Sequence, residues 1–111
     1  MLPRRIDNKS HRENAGKRSP GHCTYVRSHE CCVPNCGGRP IEVAHVRTGT
    51  NGGMGVKPSD RWTISLCRDH HAEQHRIGEP GFEKKHGIDM KALAQEFARK
   101  SPHAAKLREM V

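Results

Sequence analysis

Hydrophobic and polar positions alternate in two short stretches of this chain. In "PIEVAHV", Ile41, Val43 and His45 fall on one side while Glu42, Ala44 and Val46 fall on the other, the period-two signature of a strand. "RWTISL" repeats the pattern, with Trp62, Ile64 and Leu66 facing one way. The intervening loop, "RTGTNGGMGVKPSD", carries Gly49, Gly52, Gly53 and Gly55 and permits close backbone approach to a ligand. The two strands therefore make an open hairpin. The period then lengthens. Arg68 to Ile77 has helix-forming composition and stops at Gly78, before Pro80. Asp89 caps a further helix whose Met90, Leu93, Ala94 and Phe97 form one apolar stripe, read as core packing. Ser101-Pro102 ends it and leaves room for another helix through Val111. This order predicts a small α+β fold.

Two segments carry no such periodicity. Residues 1–22 hold Arg4, Arg5, Lys9, Arg12, Lys17 and Arg18 against Asp7 and Glu13, and read as a disordered basic arm able to track a phosphate backbone. From Cys23 to Gly38 the chain is Cys-rich and turn-rich, and "CCVPNCGG" has the shape of a zinc knuckle. The expected organisation is an arm over 1–22, a functional domain over 23–88 and a helical extension over 89–111.

Composition explains why a staple is needed. With 111 residues, 32% hydrophobic and 4% aromatic, the chain builds one thin core, the situation in which disulfides or a metal supply the missing stability. Five cysteines is an odd number, and no charged-then-apolar signal sequence opens the chain, so zinc in a reducing cytosol is expected over a secreted disulfide scaffold. No apolar run approaches the roughly 18–20 residues of a membrane span. The formal charge of +8 favours a polyanionic partner, most simply nucleic acid.

The run "LCRDHHAEQH" concentrates the candidate chemistry. Cys67 and His70 stand three apart, a spacing suited to half of a tetrahedral zinc site. The other half must come from the knuckle, as Cys36 with Cys31 or, alternatively, Cys32. Cys31 is preferred slightly, because the turn then has more slack; Cys23 receives no role. His71 and His75 stand four apart and share one helix face, where they could hold a second metal. Because successive helical residues point about 100° apart, His70 can face the knuckle while His71 and His75 face the strand that carries His45.

These residues resemble the HNH, or ββα-metal, endonuclease family: a knuckle, a strand ending in His, a loop, a second strand, then "LCxxCH" and a further His, with His70 here replacing a cysteine. The stretch over about 31–88 is further similar to phage-encoded HNH proteins related to phage recombination enhancement nucleases. The resemblance implies a zinc-stapled ββα finger with a C-terminal helical extension that hydrolyses DNA phosphodiester bonds. It makes His45 the general base and His71 and His75 the ligands of a catalytic Mg²⁺, Mn²⁺ or Zn²⁺. Cys31, Cys36, Cys67 and His70 would hold structural zinc. Many family members carry Asp or His just before the base; this chain has Ala44, and Asp60 is the nearest carboxylate to orient His45 or join the metal shell. Arg47, Lys57, Arg61 and Arg76 flank the expected cleft as phosphate contacts, Arg76 foremost. A recombination or packaging protein is a conceivable partner, and the bacterial host cytoplasm the expected compartment. The alternative function is a non-catalytic, zinc-stabilised nucleic-acid-binding module.

Overall fold

A computed structural model describes residues 17–50 and 58–110. The elements run α1 (Pro20–Arg27), β1 (Ile41–His45), β2 (Thr63–Cys67), α2 (Arg68–Ile77), α3 (Glu79–His86), α4 (Met90–Lys100) and α5 (Ala104–Arg108). The protein is α+β, as its patterning predicts. No described helix is long and apolar enough to cross a membrane.

The two strands pair antiparallel, with Ile41 opposite Cys67, Ala44 opposite Ile64 and His45 opposite Thr63. Alternation does sort their faces. Ala44, Val46, Ile64 and Leu66 enter the core with Val33, Phe82, Met90 and Ala94, while Val43 and His45 line a cleft. β2 is buried along its whole length, however. Its second face meets the segment before β1: Cys32 N–H donates to the Ser65 carbonyl at 2.9 Å, and Ser65 Oγ donates to the Glu30 carbonyl at 2.6 Å.

That covering segment includes a helix where the patterning leaves an arm. Residues 17–22 belong to the fold, so the arm expected over 1–22 must be shortened; residues 1–16 lie outside the described residues. Ser19 caps α1 by accepting the His22 N–H at 3.3 Å, and Pro20 occupies the first turn, where its missing N–H costs nothing. Only His22 and Val26 are buried from this helix, which leaves no apolar stripe to detect.

α2 follows β2 without a loop. It ends at Gly78, as expected, where φ of 82° favours a residue without a side chain. The same glycine leads into α3, which contains Pro80 and Gly81 and buries Phe82 alone. α4 matches its expected stripe: Asp89 Oδ1 accepts the Ala92 N–H at 3.0 Å, Met90 and Ala94 are buried, and Leu93 and Phe97 pack against the core. The final helix covers only Ala104–Arg108, and Leu107 joins Ala98 and Met110 in a small second cluster.

Candidate functional site

Four side chains from the knuckle and the β2–α2 junction meet at one point. The ligand atoms of Cys31, Cys36, Cys67 and His70 all lie within 4.8 Å of one another, so the cluster could hold a metal ion such as zinc. His70 Nδ1 stands 3.5, 3.2 and 3.3 Å from the sulfurs of Cys31, Cys36 and Cys67, and Cys36 and Cys67 are 3.7 Å apart. All are free thiols. Cys32 takes another direction, its sulfur 3.5 Å from Ser65 Oγ, which decides between the two knuckle candidates.

Local structure builds this convergence. A turn closed by Cys36 N–H on the Val33 carbonyl, with Asn35 at φ of 60°, doubles the knuckle back on itself. Gly38 then passes so close that an added Cβ would lie 2.9 Å from the Cys67 sulfur and 3.0 Å from that of Cys36. Cys67 also caps α2, its sulfur accepting the His70 N–H at 3.5 Å. Burial pushes the Cys31 thiol up to about 11, so a bound cation is the natural means of making it a thiolate. Behind the cluster, Glu73 and His86 bring ligand atoms within 4.8 Å of His70. Glu73 is committed to Lys85 and His86, which hold its carboxyl at about 2.

The next residue along α2 faces a different space. A cleft of about 820 Å³ is lined by His45 and Val43 of β1, Asp60, His71 and His75 of α2, and by Arg18, Arg27 and Arg47. The expected convergence of His45, Asp60, His71 and His75 therefore occurs. His71 Nδ1 lies 2.8 Å from Glu42 Oε1, and its Nε2 lies 3.3 Å from His75 Nε2. An ionised Glu42 accepts from Nδ1–H, which leaves the His71 Nε2 lone pair facing His75.

His45 Nε2 is 2.9 Å from Asp60 Oδ1. Asp60 is buried, which opposes its charge, but hydrogen bonds from His45, the Ser19 N–H and Arg18 outweigh that and hold its carboxyl well below the ordinary range. Arg18 Nη1 stands 3.0 Å from Oδ1 and Ser19 N 2.7 Å from Oδ2. An ionised Asp60 makes Nε2 of His45 the donor, so Nδ1 is the nitrogen with a lone pair. With both oxygens engaged, Asp60 is placed to orient His45. Gln74 steadies the same residue from behind, donating to its carbonyl at 3.3 Å.

Two expected phosphate contacts are differently placed. Arg61 turns away from the cleft: Nη1 donates to the Met110 carbonyl at 2.9 Å and the guanidinium lies over the Trp62 ring. The Met110 carbonyl and the Trp62 ring together hold its guanidinium there. Arg76 is an exposed residue outside the cleft lining, 3.6 Å from Glu73. Lys57 lies outside the described residues. Arg18, expected only as part of the basic arm, lines the cleft instead, and the cleft residues that sequence reasoning overlooked are Arg27, in the Cys-rich segment, and Glu42, whose strand position gives no hint that it meets α2. Ser19-Pro20, a helix-start pair, was the available signal for Arg18 and Arg27.

Residues 11–101 match a family model described as "Protein of unknown function (DUF968)", and the chain belongs to that family. It is 34% identical over 70 residues to the uncharacterized protein YdfU of Escherichia coli (strain K12), a match that covers 62% of this chain and 19% of that relative's length. No solved structure matches the chain.

Proposed function

We propose that this DUF968-family chain is a metal-dependent endonuclease of the HNH type, hydrolysing DNA phosphodiester bonds from a zinc-stapled ββα unit. One observation carries the reading: the His45–Asp60 pair, at 2.9 Å, and the facing Nε2 atoms of His71 and His75, at 3.3 Å, line the same cleft. Two nitrogens bound at ~2.1 Å to one ion with a near-tetrahedral angle sit roughly 3.4 Å apart, so the pair fits a divalent cation. Such an ion would supply Lewis-acid chemistry, offsetting negative charge on the scissile phosphate and the departing oxygen.

The chain's own groups do the rest. His45 Nδ1 accepts a proton from the attacking water, a task suited to an imidazole near neutral pH. Asp60 keeps its charge, fixes the tautomer and stabilises the imidazolium that forms. Glu42 holds the His71 ring in its ligating tautomer. Arg47 and Arg27, on the cleft lining, favour a phosphodiester over a neutral ligand. For the cluster we assign zinc: at Zn–S of ~2.3 Å, tetrahedral sulfurs sit roughly 3.8 Å apart, close to the 3.7 Å between Cys36 and Cys67.

A second reading has its own support. Ala44 is fully buried in the core, where a family member's extra ligand would precede the base, which leaves two protein nitrogens for the cleft ion. A non-catalytic zinc-stabilised module would still bind nucleic acid with this basic face. Nicking of supercoiled plasmid in Mg²⁺ or Mn²⁺ separates the two. The nuclease reading expects cleavage that disappears in His45→Ala; cleavage at the wild-type rate by that variant would sink the mechanism. A wild type that retards DNA in a gel but nicks nothing under any divalent metal leaves the binding module.

A further inference from the structure

We propose that the cleft continues along α1 into a phosphate-binding subsite formed by Arg27 and Arg39, so that a DNA strand is held at phosphates beyond the scissile one. The ligand class rests on the hydrolytic reading of the cleft. Arg27, in the last turn of α1, borders both the cleft and a neighbouring pocket of about 70 Å³. Arg39 and the Gly37–Gly38 turn complete that pocket. Its volume is far below the ~300–1,000 Å³ of sites for drug-sized organic ligands and suits one phosphate group.

The charge pattern points the same way. Arg27 donates to Thr24 Oγ1 at 3.3 Å, and neither it nor Arg39 has an ion pair among the described residues. Glu30 lines the same pocket without pairing with either arginine. The acids nearest the cleft are already engaged: Asp60 by Arg18 and His45, Glu42 by His71, and Glu79 by the backbone N–H groups of Arg47 and Thr48. Other surface cations differ: Lys85 and Arg76 share Glu73, while Arg99 and Lys100 share Glu96. Arg27 and Arg39 thus stand without an ion pair along the line from the cleft, whereas Lys85, Arg76, Arg99 and Lys100 each contact a carboxylate. A mononucleotide reaching the His71–His75 pair would leave that line unused; a strand would occupy it.

The test is binding of a fluorescein-labelled 20-nucleotide DNA to the full chain, without added divalent metal, followed by anisotropy over roughly 50–200 mM salt. Each phosphate contact contributes about 0.7–0.9 to the slope of log K against log salt. Arg27→Ala/Arg39→Ala should therefore lower the slope by roughly 1.4–1.8 and weaken binding by a factor about tenfold greater at the low-salt end than at the high-salt end. Lys85→Ala/Lys100→Ala removes the same formal charge from ion-paired positions and should keep the wild-type slope. Equal losses in the two double variants would reduce the effect to net charge and overturn the subsite, as would wild-type binding by Arg27→Ala/Arg39→Ala. A wild type that binds with the steep slope and cleaves no DNA supports the subsite while refuting hydrolysis, so the two claims fail separately.

Discussion

His70 and His71 are neighbours in α2, yet each belongs to a different site. The cluster around His70 draws four donors from the knuckle and the β2–α2 junction, enough to hold a metal ion such as zinc without help from solvent. The cleft around His71 offers two imidazole nitrogens, backed by Glu42 and facing the His45–Asp60 pair across open space. A filled shell binds an ion for structure, whereas a partial one keeps positions for water and substrate. Proximity in sequence thus says little about role. The number of protein donors around each ring says much more.

Four experiments sharpen that contrast. The largest effect is expected at the closed site: Cys67→Ser should lose bound zinc and with it the fold, because structural zinc contributes on the order of 10 kcal/mol, comparable to a small domain's whole stability. His75→Ala should stay folded with its zinc, and metal analysis with circular dichroism on both variants checks the division. Identical behaviour would mean there is one site, not two. His45→Ala should cut plasmid nicking by roughly 10²–10⁴-fold, the usual contribution of a general base, with circular dichroism and zinc content unchanged.

Acid sensitivity comes next. His22 is buried, and burial, opposed by Asp60 and reinforced by His103, pushes its ring down to about 4 from 6.5. The unfolded chain takes up that proton first, so stability should fall as pH drops from about 6.5 to about 4 and then level off for this group. At ~1.4 kcal/mol per pH unit the loss approaches roughly 3 kcal/mol. Denaturant titrations at several pH values should show this slope, and His22→Gln should flatten it. The smallest effect belongs to Glu42→Gln: about 10–100-fold weaker binding of the cleft metal, by calorimetry, with the zinc cluster untouched.

The parts legible in sequence were those that repeat a period or a ligand spacing. The hairpin, α2 with its stop at Gly78, and the Asp89-capped helix all follow from alternation, caps and breakers. Cys36, Cys67 and His70 follow from spacing. Cys31 over Cys32 follows only as a slight preference from the slack of the turn, and the cluster together with the Cys32–Ser65 contact separates the two. α1 and α3 escaped for a shared physical reason: one buries a histidine and a valine, the other a lone phenylalanine beside Pro80 and Gly81. Neither has a stripe to read. Arg61, expected to flank the cleft, points elsewhere although its neighbour Asp60 lines it. The backbone there turns one side chain toward His45 and sends the other to Met110.

Cys67 ends β2, pairs opposite Ile41, caps α2 and contributes a sulfur to the cluster. Strand register and helix phase are therefore set by the same residue, with no loop between them to absorb an error. Inserting or deleting one residue between Cys67 and His75 would rotate the following side chains by about 100°. The cluster would lose His70, or the cleft would lose its pair. Across related chains this stretch should vary in residue type yet never in length, a frame that evolution can recolour but cannot shift.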